Sequence, residues 1–198
     1  MFDLNKITAL LENWIDERRL IHSIGVSRCA VKLAGHYGAN MEKAELTGLV
    51  HDCAKCLSLE KLMQLGRKYG YEADEISLRS TTLLHAPIGA YLAGDLFDIK
   101  DTEILNAIAC HTTGKKDMSL LDKIIYVADY IEEERNYSSM EEIRKYSFVD
   151  LNETLFKALD LSIKHVLERG KLLHPLTIEA RNYLIINNLV EKGGFCIE

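Results

Sequence analysis

An all-α fold, one bundle of about eight to ten helices, is what the 198-residue sequence predicts. Three observations predict it. Apolar residues recur at spacings of three and four, caps and glycines punctuate those stripes at helix-length intervals, and no stretch alternates apolar and polar residues as a half-buried strand does. Residues 3–17 place Leu4, Ile7, Leu10, Leu11, Trp14 and Ile15 at helical spacing behind an Asp3 cap. A helix over 20–37 sets His22, Gly25, Val26, Cys29 and Leu33 on one face and ends at Gly38. The next, near 41–53, carries Ala44, Thr47 and Gly48, small residues that let another helix approach closely. Ser58 caps a helix over 58–69 that Gly70 stops. The pattern continues as helix over 72–84, and Pro87 suits the first turn of a further helix reaching 97. Asp101 caps a helix in which Ile104, Ala107 and Ile108 lead to His111. A Gly114-Lys115-Lys116 turn then opens the way to a helix bearing Leu121, Ile125, Ala128 and Asp129. Ser139 with Glu142, and Asp150 with Glu153, read as capping boxes for a short helix and for a long one over 151–169. Pro175 opens the last helix, and the tail from Gly193 is expected to be loose. The chain reads as one domain, 1–198, with its functional core over 18–135 and C-terminal helices over 139–190.

Composition narrows the function classes. An apolar content of 47% and a charged content of 27% are those of a globular protein with a proper core. A net charge of −6 argues against a nucleic-acid partner, which would require a basic face, and leaves small nucleotides open. No apolar run is long enough to span a membrane, and the opening Met-Phe-Asp-Leu-Asn-Lys lacks a signal-peptide core, so no membrane partner and a cytoplasmic location are expected. The five cysteines include the pair Cys53 and Cys56 at Cys-x-x-Cys spacing. A zinc ribbon needs a second such pair and a thioredoxin-like site needs flanking strands, so the thiols read as reduced, with Cys29 and Cys110 as small core residues. The N-terminal helix and the 139–190 region are candidate surfaces for a homodimer.

The chemistry concentrates in five fragments supplying His22, His51-Asp52, His85, His111 and Asp129. Each fragment reads as helical. His111 and Asp129 continue apolar stripes and therefore face inward, and His85 lies one turn beyond Thr81. An ionised carboxylate buried without a partner costs several kcal/mol or is forced to protonate, so Asp52 and Asp129 need a cation nearby. A single inward histidine is more often a hydrogen-bonded core residue than a ligand. The joint pattern, four histidines and two aspartates suited to divalent metals, is what points to a site able to hydrolyse phosphate esters or anhydrides. His36, His165 and His174 have no such partners and read as structural or surface residues.

This arrangement resembles the HD-domain metal-dependent phosphohydrolases. The strings Arg19-Leu20-Ile21-His22-Ser23, His51-Asp52-Cys53-Ala54-Lys55, Leu84-His85-Ala86-Pro87-Ile88-Gly89-Ala90, His111-Thr112-Thr113-Gly114 and Tyr126-Val127-Ala128-Asp129-Tyr130-Ile131-Glu132 look like the YqeK-type branch, the bacterial symmetrical bis(5'-nucleosyl)-tetraphosphatases. Ala86 stands where that branch commonly has Gly and Glu133 where it commonly has Pro, which touches loop shape and no ligand. The resemblance implies that His22, His51, Asp52 and Asp129 bind one metal and that His85 and His111 bind a second, with the Asp52 carboxylate bridging. It implies two iron ions, with manganese, cobalt, magnesium or zinc as substitutes; mixed imidazole and carboxylate donors suit transition metals better than calcium. Two ions about 3.5–4 Å apart would activate a bound hydroxide for in-line attack on phosphorus. The implied reaction is cleavage of diadenosine tetraphosphate to two ADP. Asp52, Lys55 and Arg135 are the catalytic candidates, and Arg19, Lys55, Thr112, Thr113, Gly114 and Arg135 the substrate contacts. Gly114 would let the chain turn so that backbone N–H groups face a phosphate. Three alternatives explain the same ligands: a phosphohydrolase of guanosine alarmones or nucleoside di- and triphosphates, a di-iron HD-domain oxygenase, and a regulatory module that has lost its reaction.

Overall fold

The computed structural model describes residues 2–133 and 140–190. Among them lie ten α-helices and no strand: α1 Leu4–Glu12, α2 Glu17–Tyr37, α3 Met41–Val50, α4 Leu59–Tyr69, α5 Thr81–Phe97, α6 Thr102–Cys110, α7 Leu120–Ile131, α8 Met140–Tyr146, α9 Leu151–Glu168 and α10 Pro175–Ile186. None is long and apolar enough to cross a membrane.

Side-chain caps place most of the boundaries. Asp3, Ser58, Asp101 and Asp150 each accept a backbone N–H at the start of a helix, and His174 with Pro175 opens α10. Asp16 also caps, accepting from the Arg19 N–H at 2.8 Å, so α2 begins three residues earlier than its apolar stripe indicates. Gly38 and Gly70 end α2 and α4 in the left-handed conformation, at φ 70° and 68°. Ser119 and Asp122 form a reciprocal capping box at α7 that the sequence reading missed. The box expected at Ser139 and the tail from Gly193 fall outside the described residues.

Four expectations need correction. The helix expected over 3–17 stops at Glu12, so Trp14 and Ile15 lie beyond its end. The helix near 41–53 stops at Val50, and residues 51–56 continue as turns closed by bonds such as Cys53 N–H to Val50 O and Lys55 N–H to Asp52 O. Residues 72–76 are not helical: Asp74 takes the Ile76 and Ser77 N–H groups on its own carboxylate, at 2.9 and 3.0 Å, and leaves only a short 3-10 turn at Ser77–Arg79. Pro87 does not open a helix; it sits inside α5, whose buried face of Leu84, His85, Ile88, Gly89 and Leu92 runs unbroken past it.

The core lies where α2, α3, α6 and α7 meet, with α5 packed on α6, and α9 joining α7 to α10. Leu33, Leu46, Ile88, Ile104, Ile108, Ile124 and Ile125 are fully buried there. α2 and α3 come so close at Gly48 that a Cβ on it would stand 2.7 Å from the Ser27 Cα. That approach brings the His22 helix against the end of α3, where His51 and Asp52 sit.

Candidate metal centre

All six expected metal-site residues converge. α2 presents His22, the end of α3 presents His51 and then Asp52, α5 presents His85, the end of α6 presents His111, and the last turn of α7 presents Asp129. His51 and His111 are not within helices; each is the residue that closes one. A helix terminus leaves backbone carbonyls without partners. Each imidazole turns back on a carbonyl near that end, Nδ1 lying 2.7 Å from Gly48 O in His51 and 2.7 Å from Ile108 O in His111. His85 Nδ1 is 3.3 Å from Thr81 O, and His22 Nδ1 is 3.2 Å from Glu132 Oε1. In the tautomer that donates Nδ1–H outward, each neutral imidazole keeps its Nε2 lone pair for the centre.

Those lone pairs meet two carboxylates. Asp52 Oδ1 lies 2.9 Å from His85 Nε2 and 3.4 Å from His111 Nε2, and these two nitrogens are 3.1 Å apart. Asp52 Oδ2 lies 3.8 Å from His22 Nε2 and 3.6 Å from His51 Nε2. Asp129 Oδ1 completes that half, 3.1 Å from His22 Nε2 and 3.9 Å from His51 Nε2. One carboxylate therefore faces a different pair of imidazoles with each oxygen. His22 Nε2, His51 Nε2 and Asp52 Oδ1 are buried with no hydrogen-bond partner among the described residues. Acceptors crowded together in this way repel unless a cation lies among them. The donor set of imidazole nitrogen and carboxylate oxygen fits a divalent transition metal, so the site can hold one.

The electrostatics agree. Burial pushes the His51 and His85 imidazoles down to about 4, so both are neutral at ordinary pH, the form in which an imidazole can bind a metal. Burial works the same way on His22, but Asp129, Asp52 and Glu132 outweigh it and its pKa lies above the usual value. Burial disfavours the ionised Asp52 carboxyl, yet His51, His111, His85 and Lys55 hold it well below the usual carboxylate range.

Two cations reach the rim. Arg19 Nη1 is 2.6 Å from Asp52 Oδ2, and Lys55 Nζ is 3.8 Å from Asp52 Oδ1 and 3.3 Å from His85 Nε2. Both side chains are 28% exposed, so each can meet a ligand arriving from solvent. Thr112 Oγ1 lies 3.2 Å from His111 Nε2, also at the centre. Thr113 and Gly114 are committed to their own turn: the buried Thr113 hydroxyl donates to Gly114 O, and the Gly114 N–H donates to Cys110 O, so that N–H does not face a ligand. Gly114 does supply the turn, at φ 68°. Arg135 lies outside the described residues. Cys53 and Cys56 are free thiols, the first donating to Gly89 O and the second to Asp16.

Two contributors were missed by sequence reasoning. Trp14 donates its indole N–H to Cys53 O at 2.8 Å and ties the end of α1 to the turn holding Asp52. Glu132, buried at 1% exposure, accepts from His22. The signal available for Glu132 was its place three residues beyond Asp129, one helical turn along from a candidate ligand.

The sequence profile of the HD domain matches residues 19–134, the stretch that contains all six converging residues. A protein of Halalkalibacterium halodurans named symmetrical bis(5'-nucleosyl)-tetraphosphatase is 38% identical over 91% of this chain and 96% of its own length. A Bacillus subtilis protein of the same name is 35% identical over 89% of this chain and 95% of its own. The crystal structure of a Clostridium acetobutylicum protein, described as a predicted HD superfamily hydrolase involved in NAD metabolism, superposes with a TM-score of 0.91 at 48% identity, covering 94% of this chain and 99% of that one. Sequence, fold and the converging His and Asp side chains thus place the chain in the HD-domain hydrolase family, in the branch of the symmetrical bis(5'-nucleosyl)-tetraphosphatases.

Proposed function

We propose that this chain hydrolyses diadenosine tetraphosphate symmetrically, to two ADP, in a site that holds two divalent ions. The observation that carries the reading is the placement of the two Asp52 oxygens, one toward His85 and His111 and the other toward His22 and His51. His22, His51, Asp129 and Asp52 Oδ2 would hold one ion; His85, His111 and Asp52 Oδ1 would hold the other. We assign iron as the natural metal, with manganese, cobalt, magnesium or zinc able to replace it. Bound there, the pair supplies Lewis acidity toward phosphate oxygens and a water deprotonated near neutral pH as nucleophile.

The chain's own residues do the rest. Imidazoles whose Nδ1–H groups are anchored outward cannot swing away from the centre, so the ligand geometry is set before substrate arrives. Arg19 and Lys55 stand at the rim as cations for the polyphosphate, and Thr112 offers a hydroxyl beside His111. ADP leaves as a phosphate anion, so charge neutralisation by Arg19 and Lys55 assists its departure. Arg135 belongs to the same proposal on the strength of its sequence position.

The decisive experiment is incubation of the metal-loaded protein with diadenosine tetraphosphate, with products separated by chromatography and metal content measured on the same sample. ADP as sole product, lost with the metal in chelator, is expected. AMP and ATP as products, or full turnover after metal removal, would refute the proposal. NAD, guanosine alarmones and nucleoside triphosphates in the same panel test the other nucleotide substrates, and oxygen uptake tests the oxygenase alternative.

A further inference from the structure

One of the four site histidines is anchored differently from the rest. His51, His111 and His85 lean on the neutral carbonyls of Gly48, Ile108 and Thr81, whereas His22 leans on a carboxylate, Glu132 Oε1 at 3.2 Å. Glu132 follows directly on α7 and is 1% exposed. Its backbone is pinned from α8: Arg144 donates to Glu132 O and to Ile131 O, both at 2.6 Å. Its side chain occupies room left by a glycine. A Cβ on Gly25, one turn beyond His22 on α2, would stand 2.9 Å from Glu132 Oε2. The absence of a side chain at 25 and the Arg144 clamp therefore serve the same buried carboxylate.

The two halves of the centre consequently differ in charge. Beside the shared Asp52, the His22 half has Asp129 and, behind the imidazole, Glu132, two carboxylates against the one cation Arg19, 2.6 Å from Asp52 Oδ2. The His85 half has Lys55, a cation 3.3 Å from His85 Nε2. A carboxylate accepting the outer N–H of a ligating histidine fixes its tautomer and raises the electron density at the nitrogen that binds metal. We propose that Glu132 is a positioning residue for the ion held by His22, His51, Asp52 and Asp129, and that it makes this the tighter of the two metal sites, leaving the His85–His111 site the exchangeable one. The inference rests on the two-metal reading above.

Calorimetric titration of Mn²⁺ into the metal-stripped full chain tests it without recourse to turnover. The wild type is expected to show two steps, one tight and one weaker. Glu132→Gln, which keeps size and an acceptor but removes the charge, weakens the tight step by about 10- to 100-fold and leaves the other unchanged. Gly25→Ala keeps the charge and displaces it, because the new methyl collides with the carboxylate end of a side chain that can swing, and it weakens the same step. A selective change in one of two affinities is not what general loosening of the fold produces, and circular dichroism melts of both variants check that the fold is kept. Two Mn²⁺ bound by either variant with wild-type affinities would overturn the inference while leaving the two-metal reading intact. A wild type that binds no Mn²⁺ overturns both.

Discussion

Asp52 is the residue on which the centre turns, because its two oxygens face opposite pairs of imidazoles while Arg19 and Lys55 approach from the rim. Asp52→Ala is predicted to empty both metal positions together. If the ions supply several kcal/mol of transition-state stabilisation, turnover falls by about a thousandfold or more. Metal analysis beside activity checks it, and retention of one full equivalent of metal would contradict the bridging role. Lys55 is a different case, since it touches His85 but is no ligand in this scheme. Lys55→Met is predicted to keep two metals per chain and to lower kcat/KM by about 10- to 100-fold, the worth of a charge-assisted contact of about 1.5–3 kcal/mol. Sequence alone singled out Asp52, Lys55 and Arg19 as candidates; it assigned Glu132 no role, because a buried glutamate one turn from a candidate ligand looks like any other helix-end acid until His22 arrives 110 positions away in the chain.

Helix ends, more than helix middles, do the positioning. His51 and His111 occupy closing positions where carbonyls of the last turn face their Nδ1 atoms, an arrangement that an apolar stripe alone does not show. The same stripe could not reveal that Asp74 would take its neighbours' N–H groups, or that His174 would donate to it across 100 positions, 3.0 Å away. The small-residue reading of α3 does stand: Gly48 allows the α2 backbone to pass against it. Gly48→Ala is predicted to destabilise the fold by about 1–3 kcal/mol, because its Cβ would meet Ser27 backbone atoms at 2.7 and 2.9 Å and neither can rotate away. A thermal melt checks this; with about 2–4 °C of Tm per kcal/mol at this chain length, an unchanged Tm would mean the helices part more easily than their packing implies.

For the molecule as a whole, the gathered centre is a liability when no cation lies within it. Burial lowers His51 and His85 to about 4, against about 6.5 in an unfolded chain, so the unfolded state binds more protons between those values. Their contribution to stability is complete above about pH 6.5 and is lost as the pH falls toward 4. His22, raised instead despite its burial, acts in the opposite sense: its contribution is present below about pH 6.5 and is lost as the pH rises through its folded value. Two histidines outnumber one, and Asp52, held ionised against burial, adds a further loss at lower pH. Metal-stripped protein is therefore predicted to melt at a lower temperature at pH 5 than at pH 7. Loading with Mn²⁺ is predicted to raise Tm at pH 7 and to do so less at pH 5, where protons compete for the same nitrogens. Melts at both pH values, with and without Mn²⁺, decide the matter.

Much of this was determined by the chain read as a string. Periodicity and caps specify helices locally, within a turn or two, and the His and Asp fragments are each short enough to be seen whole. Their gathering was decided only in three dimensions. Which oxygen of Asp52 meets which imidazole, which carbonyl anchors each Nδ1, and that Glu132 stands behind His22 all depend on how α2, α3, α5, α6 and α7 pack. The physical reason is range: a cap is satisfied by a neighbour three residues away, whereas a buried charge is satisfied by whatever side chain the packed core brings to within about 3 Å, however distant it is in the chain.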